Sequence, residues 1–130
     1  MTPEAEALVH MRLDQAEHNL KEAEILIAAQ QRYAVTRLLY FSMFYSACAL
    51  LASKQLDSSK HSDVISLLHN GFVKTGLFPP EIARLLNQAF ELRHEADYRP
   101  IEPPTLERLK ALVEDARSFL TATKLFLGKQ

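Results

Sequence analysis

Apolar residues recur at alternating spacings of three and four along most of the chain, which is typical of amphipathic helices. The clearest case lies in residues 3–29, where six apolar residues share one face: Val9, Leu13, Ala16, Leu20, Ala23 and Ile27. Thr2 is suited to cap this helix, and Pro3 fits its first position. The pattern predicts a long helix with a single buried face.

The segment from about residue 33 to residue 54 differs, because its core LLYFSMFYSACALLA is apolar nearly all round. A membrane-spanning helix needs about twenty consecutive apolar residues. This run is shorter and is interrupted by Ser42 and Ser46. We therefore expect a central helix that is buried on several sides, and no membrane association.

Three further helices are predicted, at about 59–74, from the FPPE motif to Arg99, and at about 104–127. Gly76 is expected to end the first of them, Pro100 the second and Gly128 the third. Their apolar positions are Val64, Leu68 and Phe72; Ile82, Leu85, Ala89, Leu92 and Ala96; and Leu106, Leu109, Val113, Ala116, Leu120 and Leu127. Short connections favour antiparallel neighbours. The predicted fold is all-α, an up-and-down antiparallel four-helix bundle with an additional fifth helix, in one domain over residues 1–130.

Composition narrows the function classes only slightly. The net charge of −1 gives no general attraction to nucleic acid or membranes. Residues 31–78 nevertheless carry five basic residues against two acids, so a local basic surface stands beside the alternative of a solvated mixed surface. One cysteine, Cys48, excludes an internal disulfide. The acidic N-terminus lacks the apolar stretch of a signal peptide, and we expect a cytoplasmic protein.

A metal site is not predicted. A di-iron bundle requires two Glu-x-x-His motifs on different helices, and only Glu91 with His94 has this spacing. His61 and His69 are eight residues apart, which is too far for chelation from neighbouring helical turns. Nucleotide-binding glycine motifs are absent from the sequence as well. We therefore expect no metal and no cofactor.

The strongest candidate for chemistry is ELRHEADYRP, residues 91–100. Arg93 and Asp97 are four residues apart on one helix, as are His94 and Tyr98. An arginine that precedes its acid is the less favourable order for helix stability. Asp97 is therefore interpreted as orienting the planar guanidinium of Arg93 towards a phosphate or carboxylate. The alternative is an ordinary ion pair beside a packed tyrosine.

Three stretches together resemble small stand-alone HEPN-domain proteins: RLLYFSMFYSACALLAS (37–53), KHSDVISLLHNGFVKTG (60–76) and AFELRHEADY (89–98). The resemblance extends over about residues 10–125. It implies a helical bundle that forms homodimers through its long helices. It also implies a prokaryotic protein that accompanies a minimal nucleotidyltransferase in a toxin–antitoxin-like pair.

The resemblance further implies a ribonuclease motif, which this sequence matches only in part. Many HEPN proteins are metal-independent ribonucleases with an arginine, a polar residue and a histidine four to six residues further on. Arg93 is followed by the polar His94, but Tyr98, Arg99 and Pro100 occupy the positions open to the histidine. A tyrosine, with an ordinary pKa near 10, is a poor proton carrier at neutral pH. Whether the protein is an enzyme is left open, with absence of catalysis favoured.

The preferred hypothesis is a non-catalytic or weakly catalytic dimer that binds a nucleotide, RNA or a nucleotidyltransferase. Arg93 would bind phosphate, Asp97 would orient it, and Tyr98 would add a hydroxyl and a stacking face, with His61 and His94 as second-tier residues. One alternative is a ribonuclease toxin with Arg93, His94 and Tyr98 in an altered active site. Another is a purely structural dimerisation module, in which this group only locks the fourth helix to its neighbours.

The aromatic run Tyr40, Phe41, Phe44 and Tyr45 is expected mainly to pack in the core. A platform for nucleotide stacking is the less favoured interpretation. Because aromatic residues stand at consecutive positions, at least one ring must point away from the main core. A dimer interface would cover that ring.

Overall fold

The computed structural model describes residues 1–56, 60–98 and 102–128, without the side chains of His61, Ala96, Asp97 and Tyr98. The described residues form five α-helices: α1 Pro3–Ala28, α2 Arg32–Ser53, α3 His61–Leu68, α4 Pro80–Tyr98 and α5 Leu106–Leu127. A π-helical turn, His69–Val73, continues α3. No β-strand occurs within these ranges, and the all-α prediction is confirmed.

Local capping explains where α1 and α5 begin and where α5 ends. The side-chain oxygen of Thr2 accepts a hydrogen bond from the Ala5 amide at 3.1 Å. Thr105 does the same for the Arg108 amide, also at 3.1 Å. Gly128 closes α5 with a φ of 70°, a left-handed conformation that costs glycine little. These end signals are all local in the sequence, which is why both helices were predicted closely.

Contacts between α1 and its neighbours give their directions. Ser42 of α2 bonds to Ala16, and Tyr45 of α2 lies under Arg12, so the two helices run antiparallel. Along α5, Arg117 pairs with Glu24, at 2.8 Å, and Lys124 pairs with Glu17. Helix α5 is therefore also antiparallel to α1. Solvent screening keeps the contribution of these exposed or partly exposed pairs to stability small.

Helix α4 completes the up-and-down order. Phe78, just before α4, contacts Phe119 in the second half of α5, with ring centroids 5.6 Å apart. The chain then returns from the end of α4 to the start of α5, where Pro104 accepts a hydrogen bond from Arg32 at 3.4 Å. Helix α4 is thus antiparallel to both α5 and α2, as the sequence predicted.

Helix α2 is the centre of the bundle and contacts α1, α3, α4 and α5. By length and composition alone, Arg32–Ser53 is apolar enough to cross a membrane. However, 67% of its most apolar window is buried by the rest of the chain. Leu39, Met43 and Leu50 are fully buried within it. The apolarity of α2 therefore serves the core, which confirms the expectation of a central helix.

The two serines of α2 are buried and hydrogen-bonded. Ser42 Oγ donates to the Ala16 carbonyl at 2.9 Å, and Ser46 Oγ donates to the Ser42 carbonyl at 3.0 Å. A buried hydroxyl that forms a hydrogen bond avoids the desolvation penalty that an unpaired buried hydroxyl would carry. Ala16 and Ala47 are also fully buried. Small side chains therefore allow the backbones of α1 and α2 to approach closely.

The sequence prediction was wrong about part of α3, where a continuous α-helix to about residue 74 was expected. The π-helical turn contains Asn70 and Gly71, both weak helix formers. The turn is stabilised from outside the helix, because the Phe72 carbonyl accepts hydrogen bonds from the amides of Leu77 and Phe78, at 2.8 and 3.0 Å. Such contacts cannot be read from helical periodicity.

The buried face of α4 is also shifted relative to the prediction. The predicted position Ala89 is fully buried, and so is Leu86, which was not predicted. Three other predicted positions are only partly buried against the core: Ile82, Leu85 and Leu92. The predicted Ala96 lies outside the described side chains. The helix is therefore rotated slightly about its axis, with Leu86 at the centre of its contact.

Replacing Ser42 by leucine tests the close approach of α1 and α2. Ser42→Leu removes the hydrogen bond to Ala16 and forces a larger side chain between two packed backbones. We expect the free energy of unfolding to fall by about 2–4 kcal/mol in urea denaturation. The matched variant Ser118→Leu, at an exposed position of α5, should change it by less than about 0.5 kcal/mol. Equal effects of both substitutions would contradict this account.

Candidate functional site

Arg93, in the last turns of α4, lies over the aromatic residues of α2. Its guanidinium carbon is 5.4 Å from the ring centroid of Tyr40 and 5.0 Å from that of Phe41. Both distances are within the range of cation–π attraction. The side chain is half-buried, and its Nε atom is buried completely. The guanidinium is thus held against α2 while part of the side chain reaches solvent.

The rings under and beside Arg93 form one continuous cluster, here called the aromatic surface: Tyr40, Phe41, Phe44, Tyr45 and Phe90. Neighbouring ring centroids within it are 5.3 to 6.2 Å apart. Its members differ in exposure. Tyr40 and Phe44 are buried, whereas Phe41, Tyr45 and Phe90 are partly exposed. The expectation that some rings pack in the core and others point away is therefore met.

His94 extends the aromatic surface along α4. Its imidazole stacks on Phe90, one helical turn earlier, with centroids 6.3 Å apart and an interplanar angle of 19°. His94 is exposed, whereas Arg93 is half-buried against α2. Adjacent residues of a helix project about 100° apart. The two side chains accordingly project in different directions from α4.

A second guanidinium lies on the same surface and was missed by the sequence reasoning. Arg12 of α1 stands 5.8 Å from the ring centroid of Tyr45. Its Nη1 donates a hydrogen bond to Gln15 Oε1 at 2.9 Å, which fixes the orientation of the group. The signal in the sequence is weak: Arg12 adjoins Leu13 at the edge of the buried face of α1. The aromatic surface thus has an arginine from α4 near one end and an arginine from α1 near the other.

The hydroxyl of Tyr40 is electrostatically unusual. Burial raises the pKa of Tyr40 far above its ordinary value of 10.0, and the nearby positive charge of Arg93 opposes this shift only in part. The phenol therefore stays neutral at physiological pH. Tyr40 can donate a hydrogen bond and support Arg93, but it does not carry protons for an acid–base reaction.

The remaining predicted site residues lie outside the described side chains. Asp97 and Tyr98 belong to the last turn of α4, and His61 is the first residue of α3, but only their backbone is described. The Arg93–Asp97 pair and the place of Tyr98 therefore stay predictions. Within the described ranges, no group of three or more His, Cys, Asp or Glu residues could hold a metal ion.

Comparison with known proteins assigns the family. The model of the HEPN domain matches residues 9–126, which is nearly the whole chain. The chain belongs to the HEPN family. The matched region includes the aromatic surface and both arginines that lie on it.

Several relatives of this HEPN protein are similar over most of their length. A UPF0332 protein of Thermotoga maritima is 31% identical, over 92% of this chain and 90% of the relative. Two proteins of Methanocaldococcus jannaschii, whose names describe them as candidate toxins, are 33% and 34% identical. These matches cover 88% and 93% of this chain and 78% and 87% of the relatives. The family resemblance seen in the sequence is confirmed.

The buried Tyr40 gives a prediction about alkaline pH. Its pKa is higher in the folded state than in the unfolded state, so unfolded chains release this proton first as the pH rises. Stability from this residue is complete below about pH 10 and is lost as the pH rises above that value. We expect urea-unfolding curves to show a smaller alkaline loss of stability for Tyr40→Phe than for the wild type. The same loss in both proteins would contradict the buried, neutral phenol, and Tyr33→Phe at an exposed position is the matched control.

Proposed function

We propose that this HEPN protein is a dimeric, non-catalytic or weakly catalytic module that binds RNA or another nucleotide ligand through Arg93. The observation that supports the proposal best is the guanidinium of Arg93 lying over Tyr40 and Phe41. Arginine recognises phosphate through a planar set of donors. A stacked guanidinium has that plane fixed before the ligand arrives, so less conformational entropy is lost on binding.

Residues around Arg93 suit the same ligand. Asp97 follows Arg93 by one helical turn, and we propose that it orients the guanidinium. Tyr98 would supply a hydroxyl to the ligand, and His94 an exposed imidazole. His61 belongs to the same proposal as a second-tier residue.

A homodimer is part of the proposal. The aromatic surface leaves Phe41, Tyr45 and Phe90 partly exposed, and a second copy of the chain would cover apolar area that is unfavourable in water. A two-fold axis near α2 and α4 would bring two Arg93 side chains towards one cleft, since such an axis repeats each surface on the partner. Two guanidiniums would bind a polyanion more tightly than one.

The partner proposal rests on the family rather than on a contact. Relatives of this chain bear names that describe them as candidate toxins. We propose that this protein is the HEPN half of a toxin–antitoxin-like pair and that a minimal nucleotidyltransferase is its partner. The nucleotidyltransferase would bind at the end of α4 that carries Arg93. There the proposed phosphate-binding side chain would be close to the nucleotide ligand.

Arg93 variants test the proposed ligand. Arg93→Ala should weaken binding of a short single-stranded RNA by about tenfold or more, because a charge-assisted hydrogen bond contributes about 1.5–3 kcal/mol. Arg93→Lys should retain part of the affinity, since the charge remains but the planar fork is lost. Fluorescence anisotropy of labelled RNA measures both. The matched control is Arg108→Ala, which removes an exposed arginine of α5 and should leave the affinity nearly unchanged.

Sedimentation and thermal unfolding of the same variants separate the functional role from the structural one. The proposal requires that Arg93→Ala remain a folded dimer while its RNA affinity falls. Unchanged RNA affinity in a folded Arg93→Ala dimer would contradict phosphate binding. A severe fall in melting temperature, or a shift from dimer to monomer, would instead support the purely structural role.

A ribonuclease toxin is the second candidate, favoured by the exposed imidazole of His94, next to Arg93 in the sequence, and by the names of the relatives. Purified protein is incubated with single-stranded RNA in the presence of a chelator. On our proposal, cleavage is slow or absent even at high protein concentration. Rapid cleavage that is lost in His94→Ala but kept in His18→Ala, an exposed histidine of α1, would make this protein a ribonuclease. Intact RNA would exclude that candidate.

A further inference from the structure

A polar cleft, separate from the aromatic surface, lies between the first half of α4 and the α3 segment, which is α3 together with its π-helical turn. Its volume is about 460 Å³, within the usual range for small-molecule sites. The polar side chains that line it are Ser66, His69, Asn70, Arg84 and Asn87. It shares no lining residue with the aromatic surface. The cleft therefore needs an explanation of its own.

The π-helical turn contributes one wall of this cleft. His69 and Asn70 belong to the turn, which holds one more residue per hydrogen-bonded ring than an α-helix and is often found at functional sites. The turn is anchored from behind, because Phe72 is fully buried and Lys54 lies 4.7 Å over its ring. Lys54 also donates a hydrogen bond to the Gly71 carbonyl at 3.3 Å. The wall is thus formed before any ligand binds.

Helix α4 contributes the other wall. Pro80, Ala83, Arg84 and Asn87 lie on one face of it, at the helical spacing of three and four, and line the cleft together. The apolar lining residues of the α3 segment, of which two are partly exposed, are here called the apolar floor: Ile65, Leu68 and Val73. Polar groups and apolar surface thus line the cleft together, which is the usual composition of a ligand site.

The charge of the cleft indicates the class of ligand. Among the described residues that line the cleft, Arg84 carries the single formal charge, and none of them has a carboxylate. Asn70 and Asn87 each offer an amide donor and an amide acceptor, and Ser66 offers a hydroxyl. A guanidinium among neutral polar groups favours an anion that also carries hydrogen-bonding groups. A free cation or an apolar ligand would be matched poorly.

We propose that this cleft binds a small phosphate monoester. Arg84 pairs with the phosphate group, Asn70 and Asn87 bond to the polar edges of the organic part, and the apolar floor packs against that part. The monoester is either a free metabolite or the terminal phosphate-bearing nucleotide of an RNA. The inference does not depend on Arg93, because the two sites have no residue in common.

Calorimetry with five probes tests the ligand class on the whole chain. Adenosine 5′-monophosphate and ribose 5-phosphate represent free monoesters, with inorganic phosphate and adenosine as partial ligands. We expect at least one monoester to bind with a Kd on the order of 1 mM or tighter, and adenosine and inorganic phosphate to bind more weakly. A 5′-phosphorylated trinucleotide that binds more tightly than both monoesters would identify an RNA end as the source. Absence of binding by all the phosphate-bearing probes would overturn the proposal, and so would equal affinity for monoester and inorganic phosphate.

Variants locate the binding and separate it from the function proposed above. Arg84→Gln should weaken monoester binding by about tenfold. Asn87→Leu should weaken monoester binding with little effect on inorganic phosphate. Arg93→Gln should weaken RNA binding and lower monoester affinity by less than Arg84→Gln does, whereas Arg84→Gln should leave the binding of RNA without a 5′-phosphate unchanged. Arg84 and Asn87 are exposed, so these proteins are expected to fold, as circular dichroism will check. Monoester affinity that survives Arg84→Gln, or falls equally in Arg93→Gln, would overturn the assignment to this cleft.

Discussion

The need to cover α2 determines how the rest of the chain is arranged. This helix is apolar around nearly its whole circumference, and all four other helices pack on it. Burying such a surface is the main favourable contribution to folding. On the side of α1 the contact is close, since Ser42 and Ala16 leave room for a hydrogen bond between side chain and backbone. The other helices cover the part of the apolar surface of α2 that α1 leaves exposed.

The coverage of α2 is incomplete, and the candidate site lies where it is incomplete. Four large rings stand within six residues of α2, at Tyr40, Phe41, Phe44 and Tyr45, and rings at consecutive helical positions cannot all face inward. Tyr40 and Phe44 are buried, and the rings of Phe41 and Tyr45 remain partly exposed between α1 and α4. Arg93 and Arg12 then lie on these rings from the two flanking helices. The same packing requirement thus produces both the core and a cationic, aromatic surface.

The sequence was sufficient for the fold because its signals are local. Helical periodicity and the caps at Thr2 and Gly128 placed α1, α2, α4 and α5 to within about two residues at each described end. The π-helical turn could not be predicted in this way, since it depends on Lys54 and on hydrogen bonds from Leu77 and Phe78. For the site, spacing selected Arg93 and His94 as candidates. The contact of Arg93 with α2, and the presence of Arg12, depend on how the helices are rotated against each other, and no local pattern encodes that rotation.

The stacking of Arg93 on neutral rings has a consequence for regulation. A guanidinium keeps its charge throughout the pH range in which proteins are folded, and Tyr40 beneath it stays neutral. Neither group is a switch that responds to protonation, in contrast to a histidine-based site. The affinity of this surface for a polyanion would fall as ionic strength rises, but it would change little with cellular pH. Binding at this surface would be blocked by a partner molecule that covers it or by an anion that competes for it. A change of pH would not block it.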